Sequence, residues 1–490
     1  MPEVGNGHMN GHRFFGRERL VGRLSELWGK SVSSFVTCRG RRRVGKSTLI
    51  ERFAECSKAR FIKIEGVKPS PSTTDEDERR SFAEQLALQT GAERACPVNW
   101  LDAFVRLSKE IRDDDRTVVL LDEVSWMGAF DPMFAPTLKI AWDNHLKKHD
   151  RLVFVVCGSV STWIRDNIIG NKAFYGRRSA DIVVPELQLR ECVKFWGDRV
   201  ETLSEREILD VLSVTGGIPK YLEEINPSLS SRDNIRNLCF LPNSLLRLDF
   251  DEMFEDVVTL QPKLSGRILR VLAGGSKSVT EIAAALGVKK SGDITDALEQ
   301  LVESGMAARD SGTNPATGVA ARERPYRLKD NYSRFYLKYV EPSKESIDAD
   351  AFAFSGLEQF KGWETDMGLQ FENLVVNNFR ELLAPLRLDR VMIRSAAPFR
   401  RAGSAKTGRK GCQIDMLVQT EEAFYVVEIK RQAHIGHDII EEVREKCRLL
   451  PHPPLVSIRT ALVYSGELAP SVEASGFFDA IVPFGKLLGL

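Results

Sequence analysis

Short runs of β-branched and aromatic residues at 35–38, 61–64, 117–121, 152–157 and 182–184 alternate with segments whose apolar residues recur at helical spacing. This alternation predicts an α/β core over 13–186, a mostly parallel sheet covered by helices. Residues 1–12 are polar and glycine-rich and read as a flexible N-terminus, and the proline-, serine- and acid-rich stretch 69–80 reads as a surface loop. Helical periodicity dominates 187–260, broken by Gly216-Gly217-Ile218-Pro219, and predicts a helical lid. Three further helical patterns at 264–273, 280–286 and 291–304, then Tyr326-Arg327-Leu328, predict a winged helix over 261–340. The acidic, irregular stretch 341–366 reads as a linker, and 367–490 as a second α/β domain.

Within the core, the strand at 35–38 runs into Gly40-Arg41-Arg42-Arg43-Val44-Gly45-Lys46-Ser47-Thr48, which opens a helix. Glycines let the backbone turn, successive N–H groups converge on phosphate oxygens, and lysine neutralises their charge. The pattern predicts a site for ATP in which Ser47 offers a hydroxyl to Mg2+. The buried strand ending in Asp122-Glu123 supplies the complement, Asp122 helping to hold magnesium and Glu123 polarising an attacking water. The other reading of this pair is a nucleotide switch that hydrolyses slowly or not at all.

Phe15-Gly16-Arg17-Glu18, the loop with Arg41-Arg42-Arg43, the Leu-Asp-Glu strand, Cys157-Gly158-Ser159, Tyr175-Gly176-Arg177-Arg178, Gly216-Gly217-Ile218-Pro219-Lys220-Tyr221-Leu222 and the segment 326–336 together resemble archaeal-type ATPases of the STAND/AAA+ class. The resemblance implies that residues 15–18 contact the adenine end, that Ser159 senses the γ-phosphate and that Pro219 touches the nucleotide from the lid. It also implies an arginine finger or sensor at Arg177 or Arg178. Whether that arginine serves its own site or a neighbour's stays open; action in trans requires a homo-oligomer.

In the C-terminal domain, Glu372 falls at the centre of the apolar arc formed by Leu369, Val375, Val376, Phe379, Leu382 and Leu383 in a helix expected over 369–383. A carboxylate inside a buried stripe requires a metal, a lysine or a polar network. Asp415 lies on one following strand, and Glu428 and Lys430 share one face of the next, joined to it by a short hairpin turn. Glu372, Asp415 and Glu428 could ligate Mg2+ or Mn2+ through oxygen, with Lys430 orienting water or stabilising a pentacovalent phosphate. The order and spacing resemble the PD-(D/E)XK, restriction-endonuclease-like superfamily, with Ile414 where the naming proline stands and Gln432 at a helper position. The ATPase and nuclease-like halves together resemble the family whose C-terminal half is known as DUF234. The blander readings are a charge ladder on an exposed strand and a domain that keeps the fold without the activity.

Arg394, Arg400, Arg401, Lys406, Arg409 and Lys410 precede Asp415 on a glycine- and serine-rich loop, suited to DNA phosphates or else a solvated hairpin tip. The third helix of the winged-helix segment carries Asp293, Asp296, Glu299 and Glu303 and no basic residue, so a structural or protein-contact role is expected there rather than base reading. His434, His437 and His452 are expected at the surface. Lys plus Arg number 69 against 68 Asp plus Glu, which excludes a global electrostatic pull toward nucleic acid. The 8 cysteines show no C-x-x-C spacing, arguing against zinc and disulfides. Neither a membrane-length apolar run nor a signal-like start is seen, so a cytoplasmic protein is expected.

The fold expected is thus an α/β P-loop NTPase domain with a helical lid, a winged helix and a C-terminal restriction-endonuclease-like α/β domain. The function expected is ATP hydrolysis coupled to a metal-dependent DNA nuclease, with prokaryotic defence or mobile DNA as the setting by family analogy. A regulatory ATPase with an inactive nucleic-acid-binding domain and an oligomeric signalling scaffold are the alternatives.

Overall fold

The computed structural model describes residues 7–9, 12–159, 161–257, 262–321, 324–403, 408 and 410–490. The chain divides into two compact units, Met1–Leu187 and Gln188–Leu490. In the first, β1 (Gly7–Met9) pairs antiparallel with β2 (His12–Phe14), a hairpin where the sequence suggests only a flexible end. The main sheet comprises β3 (Ser34–Arg39), β4 (Arg60–Glu65), β5 (Thr117–Asp122), β6 (Leu152–Gly158) and β7 (Arg178–Val183) in the order β4-β5-β6-β3-β7, with every pairing parallel. Both faces of β5 and β6 are buried, which is why their sequences are nearly unbroken apolar runs. Phe35, Val119, Leu121 and Phe154 pack against Trp100, Phe104, Phe134 and Trp142 of the covering helices.

A loop joins β3 to helix α1 (Lys46–Cys56), with left-handed backbone at Arg43 and Gly45. At Gly40 a Cβ would stand 2.5 Å from the Val184 carbonyl oxygen, so glycine is required there. The acid-rich stretch expected as loop over 69–80 contains the start of a helix, Asp75–Thr90. Thr74 and Asp77 form a capping box there, and four acids in the first turn complement the positive end of the helix dipole.

The second unit starts with a run of helices, among them α2 (Glu205–Thr215). Helices α3 (Pro262–Ala273), α4 (Val279–Leu286) and α5 (Gly292–Glu303) follow, with an antiparallel pair β8 (Ala307–Arg309) and β9 (Tyr326–Leu328). Helix α6 (Trp363–Asn377) packs on a mixed sheet formed by β10 (Ser395–Arg401), β11 (Cys412–Gln419), β12 (Ala423–Ile435), β13 (Ser457–Leu468) and β14 (Ala480–Pro483) in sequential order. Strands β10, β11 and β12 are antiparallel neighbours, and β12, β13 and β14 are parallel. Helix α7 (Asp438–Leu449) packs on β11 and β12.

Boundaries in the second unit differ from the sequence reading as well. Helix α6 begins six residues before the expected start at 369 and gives way to a 3-10 turn, Phe379–Leu382. The expected linker 341–366 is folded: Phe352, Phe354 and Phe360 stack on Phe240, at ring-centroid distances of 5.1, 5.1 and 5.4 Å. Its acids mask this in the sequence, yet the aromatic residues supply a core, and Lys344 pairs with Asp251 at 2.7 Å.

Helix α2, the segment after β9 and the C-terminal sheet are also joined by buried polar contacts. Gln370 of α6 donates to the carbonyls of Ser213 (2.8 Å) and Asn331 (2.7 Å) and accepts from Arg334 (2.7 Å). Arg431 of β12, almost fully buried, pairs with Asp210 of α2 at 3.4 Å and Glu364 at 2.7 Å. The Gly485 amide donates to Glu205 of α2 at 2.8 Å. Phe240→Ala opens a cavity at the centre of the aromatic stack and is expected to cost the second unit about 3–5 kcal/mol, read as a lower urea midpoint for that unit.

Candidate functional site

In the first unit the functional side chains gather where β3 and β5 end. Lys46 is buried, its Nζ donating to the Arg41 carbonyl at 3.2 Å inside the loop. Ser47 Oγ donates to Asp122 Oδ2 at 2.5 Å. Glu123 lies one residue beyond β5 with a left-handed backbone (φ 49°), and its Oε2 accepts from the Ser159 amide at 3.1 Å and hydroxyl at 2.9 Å. Thr48 follows in the first turn of α1. Arg17 is buried and donates to the Val44 carbonyl at 3.2 Å and the Glu186 carbonyl at 3.3 Å, so the Phe15-Gly16-Arg17-Glu18 run is tied to the phosphate loop. Ser47, Asp122, Glu123 and Ser159, separated in sequence, are therefore one site.

Lys63 of β4, which the sequence reading passes over, belongs to this site. Its Nζ lies 3.6 Å from Asp122 and 3.2 Å from Glu51. Burial pulls its ammonium down, but Asp122 and Glu51 more than reverse that and hold it above the usual lysine range. The available signal was a single charge between the apolar residues Ile62 and Ile64 of a strand.

Arg177 and Arg178 do not join the phosphate loop of their own chain. Arg178 starts β7 opposite Phe35, near the beginning of β3, about 13 Å along the strand from its phosphate end. Arg177 forms a two-point ion pair with Asp143 at 2.8 and 2.8 Å, which holds that carboxyl down at about 2. Arg177 is thus engaged by Asp143, and Arg178 sits at the opposite end of the sheet edge from the loop. Pro219 is the first residue of a short helix, Pro219–Glu223, in the second unit.

The C-terminal constellation converges more closely than its spacing required. Asp415 Oδ2 accepts from the Ile429 amide at 2.8 Å, which locks β11 to β12 beside Glu428. Burial pushes the Asp415 carboxyl up to about 6, with Glu372 adding to the effect. Burial also raises Glu428 to about 8, with Asp415 adding to it. Glu372 is raised by burial too; Arg334 and Arg327 pull it back, and Glu428 pushes the other way. All three carboxylates therefore sense one another.

Two residues of α7 complete the cluster and were not singled out from the sequence. Lys446 Nζ lies 2.5 Å from Glu428 and 3.1 Å from Glu442, and Lys430 Nζ lies 3.0 Å from Glu442 and 3.7 Å from Glu428. Glu442 and Lys446 stand four apart on one helix face, a spacing that could have flagged them. Among the described residues no group of three or more His, Cys, Asp or Glu side chains is arranged to hold a metal ion. Glu372, Asp415 and Glu428, the expected ligand set, lie near one another but not in a ligating arrangement while Lys446 pairs with Glu428. Their oxygens are donors of the kind a hard cation takes.

The basic residues before Asp415 are engaged. Arg394 lies 3.6 Å from Glu421, Arg400 3.1 Å from Glu281 and Lys410 3.2 Å from Glu445, and Arg401 donates to the Leu449 carbonyl at 2.5 Å. Lys406 and Arg409 lie outside the described residues. His434, His437 and His452 are exposed, as expected. No helix among the described residues is long and apolar enough to cross a membrane.

Residues 14–225 match the family described as an ATPase domain predominantly from Archaea. This stretch is an archaeal-type ATPase domain. It includes every residue gathered at the phosphate loop and extends past α2. The uncharacterized protein MJECL04 of Methanocaldococcus jannaschii is 23% identical over 445 residues, 89% of this chain and 91% of that protein. Among solved structures, the Walker-type ATPase PABY2304 of Pyrococcus abyssi is similar at 16% identity and a TM-score of 0.49, over 66% of this chain and 96% of its own. The ORC2 protein of Aeropyrum pernix is similar at 16% identity and a TM-score of 0.44, over 71% and 97%.

Because Asp415 and Glu428 hold their protons more tightly folded than free, the stability they permit is full below the free carboxyl range and falls as pH rises through about 6 and about 8. Asp415→Asn removes one of the crowded charges. It is expected to raise the calorimetric unfolding midpoint of the second unit at high pH, with a gain that shrinks to nothing toward about pH 4; a gain independent of pH would contradict this electrostatic account.

Proposed function

We propose that the chain is an ATP-hydrolysing switch whose C-terminal domain acts on the phosphodiester backbone of DNA. The observation that carries the first half is the meeting of Ser47, Asp122, Glu123 and Ser159 at the mouth of the phosphate loop. Loop amides and Lys46 bind the β- and γ-phosphates, Lys46 exchanging the Arg41 carbonyl for phosphate oxygen. The Ser47 hydroxyl and the Asp122 carboxylate are the hard donors that magnesium takes, and they already face each other across 2.5 Å. When bound there, magnesium neutralises charge on the phosphates. Glu123 then has to leave Ser159 to hold and polarise the attacking water, and the freed Ser159 hydroxyl can meet the γ-phosphate. The distance of Arg177 and Arg178 from their own loop supports a finger supplied to a neighbouring copy, and hence a homo-oligomer.

Lys46→Ala is expected to abolish ATP binding. Glu123→Gln should keep binding while lowering turnover by about 100-fold or more. Fluorescent-nucleotide titration together with phosphate release separates the two effects; full turnover by Glu123→Gln would refute the assignment of the base.

The buried, mutually crowded Glu372, Asp415 and Glu428, with Lys430 beside them, support phosphodiester chemistry in the C-terminal domain. A second reading, a domain that binds nucleic acid without cutting it, is favoured by the pairing of Glu428 with Lys446. Plasmid incubated with the full chain, ATP and Mg2+ or Mn2+ tests both. Cutting is expected, with loss in Glu428→Ala and Lys430→Ala. Intact plasmid with retained, salt-sensitive binding would establish the second reading.

A further inference from the structure

Lys446 reaches from α7 into the carboxylates of the sheet, and the phosphodiester reading gives it no task. Its Nζ stands 2.5 Å from Glu428 and 3.1 Å from Glu442, with a side chain only 17% exposed. Lys430, the lysine at the E-x-K spacing, rests instead on Glu442 at 3.0 Å, farther from Glu428 at 3.7 Å. Burial weighs against the Lys446 ammonium, yet Glu428, Asp415 and Glu442 all favour its charge. An ammonium at this point answers the surplus negative charge that a divalent ion would otherwise answer. A metal ion bound to the same Glu428 oxygen would lie within a few ångströms of Nζ, where two cations repel strongly in a poorly solvated space.

We propose that Lys446 is the resident cation of the C-terminal acidic site, and that a divalent metal ion enters only by displacing its ammonium from Glu428. The proposal rests on the phosphodiester reading of this domain and concerns the regulation of that same site. The flexible stem of Lys446 can swing its charge to solvent once the pair with Glu428 is broken, and Glu442 is the second anchor that opposes the swing.

Binding of Mn2+ to the full chain, followed by loss of the free-ion paramagnetic resonance signal, tests this without reference to activity. Ser47→Ala and Asp122→Asn in the parent chain, with nucleotide omitted, silence the N-terminal site. Lys446→Met, which keeps much of the stem and removes the charge, is expected to bind Mn2+ about tenfold or more tightly than the parent. Lys446→Arg should show no such gain, and adding Glu428→Gln to Lys446→Met should abolish it. Glu442→Gln frees one anchor and is expected to shift affinity in the same direction by a smaller factor, which keeps the test decisive if Lys446→Met fails to fold. Equal or weaker binding by Lys446→Met or Glu442→Gln, with Glu428-dependent binding still present, would overturn the displacement proposal and leave the phosphodiester reading standing. Absence of Glu428-dependent Mn2+ binding in every variant would remove the metal-dependent reading, and the proposal with it.

Discussion

Negative charge withdrawn from water has to be matched by positive charge close at hand, and that requirement arranges the C-terminal half of this chain. Asp415 and Glu428 are buried on neighbouring strands, and Glu372 approaches them from α6. The matching cations come from Lys446 of α7, Lys430 of β12, Arg327 of β9 and Arg334 of the short helix after β9. Helix α7 therefore docks on the sheet through a charged contact as well as an apolar one. The apolar part is Ile439, Ile440 and Val443, packed with Ile414, Val426 and Leu462.

The same constraint operates at the phosphate loop with a different solution. Asp122 is buried at the end of β5, and its partners are the Ser47 hydroxyl and, a little farther away, the Lys63 ammonium. Glu123 is satisfied by Ser159 rather than by a cation. Hydroxyl partners exchange at little cost, because each can turn to another acceptor. The N-terminal site is accordingly prepared to receive a charged ligand, whereas the C-terminal one is already neutralised by its own chain.

Strands β5 and β6 of the first unit were legible because both faces are buried and the sequence there is almost purely apolar; the residues near the phosphate loop followed from glycine spacing and from Asp122-Glu123. Helices α3, α4 and α5 were legible for a similar reason, being amphipathic with clear glycine breaks. Residues 341–366 were not, since Phe352, Phe354 and Phe360 find their partner in Phe240, about a hundred positions away, and local pattern carries no information about that encounter. Lys446 was hidden for the opposite reason: on an amphipathic helix rich in charge, one lysine looks like the others until the strand beneath it is known. Arg177 shows the limit of motif reading, since the run Tyr175-Gly176-Arg177-Arg178 names a residue type and says nothing of Asp143, which holds it.

The family match ends at 225, whereas the first compact unit ends at Leu187. Shortening the chain at the family boundary would strip Asp210 of Arg431, the Ser213 carbonyl of Gln370 and Glu205 of the Gly485 amide, leaving polar groups stranded where a sheet and a helix once covered them. Physical autonomy and family likeness thus fall at different points on this polypeptide, and the helices between those points serve as masonry for the half that follows.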